Sequence, residues 1–385
     1  MVYAIAAALL LSAVAAAPVQ VYILMGQSNM LGMGKVIGNS TNGTLEFAVH
    51  TENKCESLLR VTPRATARRS ALGGRIVPRP PHTTRTPLSP PKPFHTAATD
   101  QYLWDRAEGT WATSDTVRNV FIMGSGNASF EASKLSHNEF MTVLGATIGP
   151  ELGIGWTLRN FTDEPTMLLK ACIGDRSLGW DLLPPGSPSF DYVDPKNASH
   201  VLTYAGYHES PNSWPKGTTP KPIAWMAGEQ WDGDTNRSTI ILGNLSYYYP
   251  NATQYEVAGF FWWQGDKDHY DLALAQRYEY NLVNLIKHLR LEFNAPNALF
   301  VTASLGQTVM GSNATDGLIL QAMLNVANAT LHPEFAGTVA AVYTHPLSMG
   351  GASNSHYNGN AETYMNVGQG MGAAMVELLK KRNNK

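Results

Sequence analysis

The stretch that decides the fold is VQVYILMGQSNM, residues 19–30. Its first seven residues are almost all apolar or aromatic, and the run ends at Gly26. A short apolar run that stops at a glycine is typical of a strand buried on both faces, as in a parallel sheet covered by helices. We therefore predict a buried parallel strand that delivers Gln27 and Ser28 to one edge of a sheet.

Four later runs share this character, and helical patterns lie between them. The further strand-like runs are residues 166–173, 255–263, 298–305 and 338–344. Apolar residues recur at helical spacing in residues 148–160, 278–293 and 364–379. Five strands that alternate with helices predict one doubly wound α/β domain around a central five-stranded parallel sheet. No internal repeat and no second folded domain is evident.

Composition narrows the class of protein further. The 385 residues are 44% apolar and 15% charged, which suits one large globular domain and excludes a wholly disordered chain. A net charge of −2 without a basic module argues against nucleic-acid binding. The two cysteines, Cys55 and Cys172, are too few for a disulfide-stapled mini-fold or a cysteine-ligated zinc site.

The amino terminus has the pattern of a targeting segment. Residues 1–17 carry no charge, residues 4–14 are apolar, and small residues in the A-x-A pattern follow at 13–17. We predict a signal peptide over residues 1–17 and one folded domain over residues 18–385, and we keep an uncleaved membrane anchor as the alternative. After cleavage no stable membrane association is expected.

Ten Asn-x-Ser/Thr motifs support entry into the secretory pathway. Their asparagines are Asn39, Asn42, Asn127, Asn160, Asn197, Asn236, Asn244, Asn251, Asn313 and Asn328. This motif is the acceptor for N-glycosylation in secreted proteins. The sequence therefore predicts a glycoprotein that is secreted or resides in the lumen of the secretory pathway.

Residues 55–94 differ from the rest of the chain. They hold eight basic residues, one acid and eight of the 23 prolines, and their apolar residues follow no helical or strand period. We predict a disordered basic insertion with no catalytic role, and a tether for polyanions is the alternative. The remaining 20 basic and 29 acidic residues give the folded part a net charge of −9.

Polar residues follow four of the five predicted strands. They occupy residues 26–30, 174–177, 264–268 and 353–356. In an open parallel sheet, ligands bind beyond the carboxyl ends of the strands, so these residues should share one edge. A serine, a glycine turn, an amide with acids and a histidine suit acyl transfer.

These segments resemble, in order, the four sequence blocks of the sialate O-acetylesterase-like (SASA) proteins. The blocks are GQSNM at 26–30, LKACIG at 169–174, WWQGD at 262–266 and HYNGNAE at 356–362. The family belongs to the SGNH hydrolases and is similar to the acetyl xylan esterases of carbohydrate esterase family six. The resemblance implies a flavodoxin-like three-layer α/β/α fold, an acetylated carbohydrate substrate, and ester hydrolysis with neither a metal nor another cofactor.

The resemblance also implies roles for individual residues. Ser28 would attack the acyl carbon, and His356 would accept its proton and return it to the leaving sugar oxygen. The main-chain N–H groups of Ser28 and Gly174, with the side-chain amide of Gln264, would form the oxyanion hole.

The acid of the triad is less well defined by the motifs. Many SGNH enzymes place it three residues before the histidine, where this chain has Ser353. The acid of the Gln-Gly-acid block, Asp266, then takes the role, although it is one methylene shorter than the more common Glu. Asp268 is the reserve acid. The spacing of the acids and histidine in residues 266–271 fits no EF-hand loop, and we predict no metal site.

Candidate substrate contacts lie near these motifs. They are Arg176, Trp180 and Trp263. Residues 178–234 are rich in tryptophan and proline and show few strand or helix signals. Their aromatic rings either stack on sugar or pin the loop to the body of the protein. For Arg176, an ordinary surface ion pair is the alternative.

Two other functions remain open from the sequence. One is a non-catalytic carbohydrate-binding glycoprotein on the same fold. The other is an esterase or lipase that acts on esters of other compounds. The sequence does not distinguish sialic acid, xylan or a related glycan as the substrate.

Overall fold

The computed structural model describes residues 17–52, 54, 103–105, 108–127 and 135–384. Most of the predicted signal peptide, the whole basic insertion and Cys55 lie outside the described residues. The strands are β1 (Val19–Gly26), β2 (Gly34–Lys35), β3 (Trp104–Asp105), β4 (Thr110–Trp111), β5 (Val117–Ile122), β6 (Leu135–Phe140), β7 (Thr147–Ile148), β8 (Thr166–Ala171), β9 (Phe190–Val193), β10 (Val201–Tyr204), β11 (Ser213–Pro215), β12 (Tyr255–Trp263), β13 (Leu299–Ala303) and β14 (Val339–Val342). The α-helices are α1 (Ser28–Leu31), α2 (Glu151–Phe161), α3 (Glu229–Gly243), α4 (Leu245–Tyr248), α5 (Leu272–Glu292), α6 (Thr315–Val326) and α7 (Ala361–Asn383).

The central sheet contains the five predicted strands side by side. Its strand order is β14-β13-β12-β1-β8-β5-β6, and every pairing except β5 with β6 is parallel. Numbered along the chain, the five predicted strands lie in the order 2-1-3-4-5, which is the flavodoxin-like order. The predicted flavodoxin-like α/β fold is confirmed.

The sheet is wider than predicted because β5 and β6 extend it to seven strands. Neither strand is a continuous apolar run: β5 contains an arginine and an asparagine, and β6 reads LSHNEF on a partly exposed edge. Their place in the sheet comes from pairing with β8 and with each other, which the pattern along the chain does not reveal.

Two layers of helices cover the sheet and divide its core. Alternate side chains of β1 point to opposite faces, as strand geometry requires. Val21 and Ile23 pack in a cluster with apolar residues of α3, α5 and α6. Tyr22 and Leu24 pack in a second cluster with residues of α2 and α7. The predicted helices correspond to α2, α5 and α7. Across the described residues, no helix combines the length and the apolar character that crossing a membrane requires.

The carboxyl end of β1 is shaped by a close approach of two backbones. Gly26 has φ +145°, and a Cβ atom there would lie 2.3 Å from the carbonyl oxygen of Trp263. Only glycine fits this contact, so the chain turns at once into Gln27 and the one-turn helix α1. This turn lies between β1 and β12, where the strand order reverses and where ligands bind in such sheets.

Residues 178–234 contain more regular structure than the sequence predicts. Strands β9, β10 and β11 form a small antiparallel sheet, and α3 begins at Glu229. The four tryptophans of this segment are at least partly buried. Trp180, Trp214 and Trp225 pack together in a small apolar cluster, which favours the interpretation that these rings pin the segment to the body of the protein.

Candidate active site

A cleft of about 390 Å³ opens at the carboxyl edge of the sheet. Four residues predicted for the site line it: Ser28, Gly174, Asp266 and His356. The sequence did not single out the other lining residues, which are Gln27, Met33, Asp175, Lys267, Tyr270 and Asn354. The fold therefore brings together the predicted nucleophile, base and acid from positions up to 328 residues apart.

Ser28 is the first residue of α1 and only 6% of its surface is exposed. The loop after β8 lies against it, because a Cβ atom on Gly174 would be 3.5 Å from Ser28 Cβ. Glycine keeps this approach uncrowded, and it leaves the backbone of both residues beside the serine hydroxyl. The arrangement suits the predicted use of their N–H groups as oxyanion donors.

The side chain of Gln264 lies beneath the cleft and does not line it. Its Nε2 donates to Gln27 Oε1 (3.1 Å), to the carbonyl oxygen of Arg176 (3.0 Å) and to Asp268 Oδ2. Its Oε1 accepts a hydrogen bond from the Tyr278 hydroxyl (2.8 Å). A primary amide has two N–H bonds, and three acceptors already share them. In this arrangement the amide joins three segments of the site, and its predicted contact with an oxyanion would replace one of these hydrogen bonds.

Gln27 lines the cleft directly beside Ser28. Its Oε1 also accepts a hydrogen bond from the main-chain N–H of Lys267 (3.1 Å), which fixes the amide against the turn after β12. Among the described residues, no hydrogen bond uses its Nε2, so this amide is a further candidate donor at the cleft.

Asp268, the reserve acid, is fully buried. Its carboxylate is hydrogen-bonded to the loop after β8. Its two carboxylate oxygens accept hydrogen bonds from the main-chain N–H groups of Leu178 and Gly179, both at 2.8 Å. Burial raises the pKa of Asp268 to about 6, against the lowering effect of these hydrogen bonds. The carboxylate joins two loops of the site, which favours a structural role over its predicted one as the reserve triad acid.

Asp266 is 5% exposed and belongs to the wall of the cleft. Ser353 Oγ donates to Asp266 Oδ1 at 2.7 Å, so the residue three positions before His356 holds the acid without replacing it. Burial raises the pKa of the Asp266 carboxyl, while the Ser353 hydrogen bond and the charges of His269 and His356 lower it. The charge of His356 therefore acts on the pKa of Asp266.

His356 lies in an unusual left-handed turn. The φ angles of His356, Tyr357 and Asn358 are 52°, 54° and 54°, and Gly359 follows with φ 78°. A left-handed conformation costs an L-residue roughly 1–2 kcal/mol, so the turn needs strong anchors. Tyr357 is fully buried, packs on Trp263 with ring centroids 5.9 Å apart, and accepts a hydrogen bond from the Gly306 N–H (3.1 Å).

This anchor sets the direction of the preceding side chain, and His356 lines the cleft. Among the described residues, no hydrogen bond joins His356 to Ser28 or Asp266. Catalytic hydrogen bonds in substrate-free sites are often long and tighten when substrate binds. The structure therefore presents the three groups around one cleft, in an arrangement open for a ligand.

Two of the three candidate substrate contacts are core residues. Trp263 is fully buried and its Nε1 donates to the carbonyl oxygen of Ser304 (3.0 Å). Trp180 is 9% exposed and packs in the small apolar cluster described above. Their burial favours packing over the predicted contact with substrate, because both rings are enclosed by protein. Seven of the nine residues of β12, from Val257 to Trp263, are buried, as an apolar run indicates.

Arg176 remains a candidate contact because it is partly exposed beside Asp175 of the cleft. Its guanidinium lies 4.8 Å from the Trp225 ring centroid and donates to Ser125 Oγ (2.8 Å) and Gln230 Oε1 (3.1 Å). These contacts hold a planar cation at a fixed place near the rim.

The protein has an α/β fold, and a serine, a histidine and a carboxylate surround one cleft at the carboxyl edge of its sheet. These features define the class of candidate serine hydrolases. Residues 229–377 match the model of the SASA family, described as carbohydrate esterase, sialic acid-specific acetylesterase. The resemblance that the motifs indicate is confirmed by this match, which covers residues 229–377. The matched range includes Asp266 and His356, whereas Ser28 and Gly174 precede it.

Matches to solved structures cover nearly the whole chain. A protein from Arabidopsis thaliana is 14% identical with a TM-score of 0.45, and the match covers 94% of this chain and 98% of that one. A carbohydrate acetylesterase from Xanthomonas citri is 11% identical with a TM-score of 0.48, covering 94% and 56%. NanS is 10% identical with a TM-score of 0.41, covering 96% and 99%. Comparison with curated proteins gives no match.

Proposed function

We propose that this protein is a serine-dependent esterase that removes O-acetyl groups from a carbohydrate. The observation that carries the proposal is the shared cleft of Ser28, Gly174, Asp266 and His356. A serine held at a glycine turn, beside two backbone N–H donors and a histidine, is the set of parts that acyl transfer requires. The carbohydrate-esterase family match supports a sugar ester over the esters of other compounds.

In the proposed mechanism, Ser28 Oγ attacks the carbonyl carbon of the acetyl group while His356 accepts the hydroxyl proton. The carbonyl oxygen becomes an oxyanion that the N–H groups of Ser28 and Gly174 stabilise, joined by the Gln27 amide in place of Gln264. The C–O bond to the sugar then breaks, and His356 donates its proton to the sugar oxygen. Water hydrolyses the acetyl-serine by the same steps in reverse, releasing acetate and restoring Ser28.

Asp266 has an electrostatic role in this scheme. A carboxylate beside the histidine stabilises the imidazolium that forms in each transition state and selects the ring tautomer. Asp266 lines the same cleft as His356, and the charge of His356 lowers the pKa of its carboxyl. These two facts favour Asp266 over Asp268 as the acid of the triad.

The test of the function is acetate release from a panel of acetylated sugars. We expect the purified protein to release acetate from at least one of O-acetylated sialic acid, acetylated xylan and an acetylated neutral monosaccharide, and the ranking identifies the substrate. A long-chain acyl ester of p-nitrophenol serves as the comparison for a lipase-type activity. Binding to these sugars without acetate release would favour a non-catalytic carbohydrate-binding protein and contradict the proposal.

We also propose that the protein is secreted and N-glycosylated. All ten acceptor asparagines are exposed, whereas Asn29, Asn119, Asn281 and Asn366, which are not acceptors, are buried. Expression with its own amino terminus in a eukaryotic secretory cell should yield protein in the medium, with a mass that falls after treatment with a peptide N-glycanase. Protein retained inside the cell at its unmodified mass would contradict this.

A further inference from the structure

A second histidine contacts the proposed acid of the triad. His269 lies in the short 3₁₀ helix Asp268–Tyr270, with its side chain 16% exposed. Its Nδ1 lies 3.6 Å from Asp266 Oδ1. The same nitrogen is buried and has no hydrogen-bond partner. A buried polar atom without a partner is rare in folded proteins, so this nitrogen needs an acceptor.

The backbone of His269 and the neighbouring Tyr270 hold the His269 ring in place. The main-chain N–H of His269 donates to the carbonyl oxygen of Gly265 (3.0 Å). The ring also packs on the Tyr270 ring, with centroids 4.0 Å apart, and the Tyr270 hydroxyl accepts a hydrogen bond from Asn354 Nδ2 (3.0 Å). These contacts connect the turn after β12 to the loop that carries His356. The orientation of His269 is therefore set by the site.

Both contacts to Asp266 fall on the same carboxylate oxygen. Ser353 Oγ donates to Oδ1, and His269 Nδ1 faces Oδ1 as well. With both groups on Oδ1, Oδ2 is the oxygen left for a third donor. His356 lines the same cleft as Asp266 and is the candidate for that donor.

We propose that His269 is a positioning residue for the acid. Its Nδ1–H donates to Asp266 Oδ1 beside the Ser353 hydroxyl, and the pair presents Oδ2 to His356. The inference rests on the proposed function, because it concerns the acid of that reaction. It assigns His269 no contact with the substrate or with the reacting atoms.

Two substitutions separate hydrogen bonding from packing. His269→Leu removes the donor and keeps an apolar side chain of similar length, and we expect kcat for an aryl acetate to fall about 10- to 100-fold with KM unchanged. His269→Asn keeps an N–H near the position of Nδ1, and we expect it to restore kcat to within a few-fold of the wild type. His200→Leu changes an exposed histidine beside Asp194 on the small sheet and serves as the control.

Equal losses of kcat in the Leu and Asn variants, or wild-type kcat in the Leu variant, would overturn the proposal. A second readout does not depend on catalysis. In ¹⁵N-histidine NMR spectra of the wild-type protein, the Nδ1–H proton of His269 should appear as a slowly exchanging low-field signal that is absent from Asp266→Ala, which has no side-chain oxygen to accept it. If the wild type hydrolyses no ester, the proposed function fails, and this signal alone decides whether His269 holds Asp266; its absence overturns the contact.

Discussion

Ser28→Ala should lower kcat for aryl acetate hydrolysis on the order of 10³-fold or more while the melting temperature stays close to that of the wild type. The substitution removes one oxygen from a side chain that is 6% exposed, so little packing is lost. Without this oxygen no acetyl-serine forms, and only the binding of substrate and oxyanion remains.

A fluorophosphonate probe gives the same test without turnover, because it labels an activated serine covalently. We expect labelling of the wild type, none at this site in Ser28→Ala, and normal labelling in Ser189→Ala. Ser189 is exposed just before β9 and is the matched control. Near-wild-type turnover in purified Ser28→Ala would remove Ser28 as the nucleophile.

Asp266→Asn should reduce kcat steeply, by up to roughly 10⁴-fold on the precedent of the same change in the serine-protease triad. Asparagine keeps the shape and can still accept the hydrogen bond from Ser353, but it carries no charge to stabilise a protonated His356. The fold should persist, because the buried residue becomes neutral and loses the cost of burying a charge. Circular dichroism and a melting curve measured beside kcat separate chemistry from stability.

Two neighbouring variants rank the alternatives. Asp268→Asn should lower the melting temperature and leave the kcat of the folded protein much less affected, because that carboxylate joins loops through Leu178 and Gly179. Ser353→Ala removes one hydrogen bond to Asp266 and should have a mild effect. If Asp268→Asn cripples turnover and Asp266→Asn does not, the acid has been misassigned by two positions. If neither change matters, the site works as a Ser28–His356 dyad.

The same assignment fixes the direction of a pH effect. Burial raises the pKa of Asp266 above that of an ordinary aspartate, so the carboxylate forms at higher pH than usual. Below that pKa the carboxyl is neutral and His356 lacks its partner, so kcat should rise with pH as Asp266 ionises. The change in kcat that follows Asp266 ionisation should be missing in Asp266→Asn and retained in Asp268→Asn.

The parts of the fold that follow from local pattern could be predicted from the sequence. Apolar runs identified the five central strands, and the end of each run placed Ser28, Gly174 and Asp266 at one edge of the sheet. Strands β5 and β6 escaped prediction because their pairing, rather than their apolar content, makes them strands. Packing partners that come from distant segments leave no such local signal.

The site illustrates this limit in the orientation of single side chains. The direction of the Gln264 amide depends on acceptors from three separate segments, those of Gln27, Arg176 and Asp268. No spacing along the chain reveals that three acceptors consume its two N–H bonds. In the sequence, nothing distinguishes His269 from the other polar residues near it. Only the structure shows that its ring lies beside Asp266.

The position of β1 in the middle of the sheet has a consequence for the synthesis of the chain. β1 leaves the ribosome about 240 residues before β12, the strand that covers one of its edges. At roughly 5–20 residues per second, that interval is on the order of 10–50 seconds. An apolar strand with an open edge is a template for pairing with other chains, which is the situation that promotes aggregation. The strand that carries the nucleophile therefore lacks this partner strand throughout that interval, before the site exists.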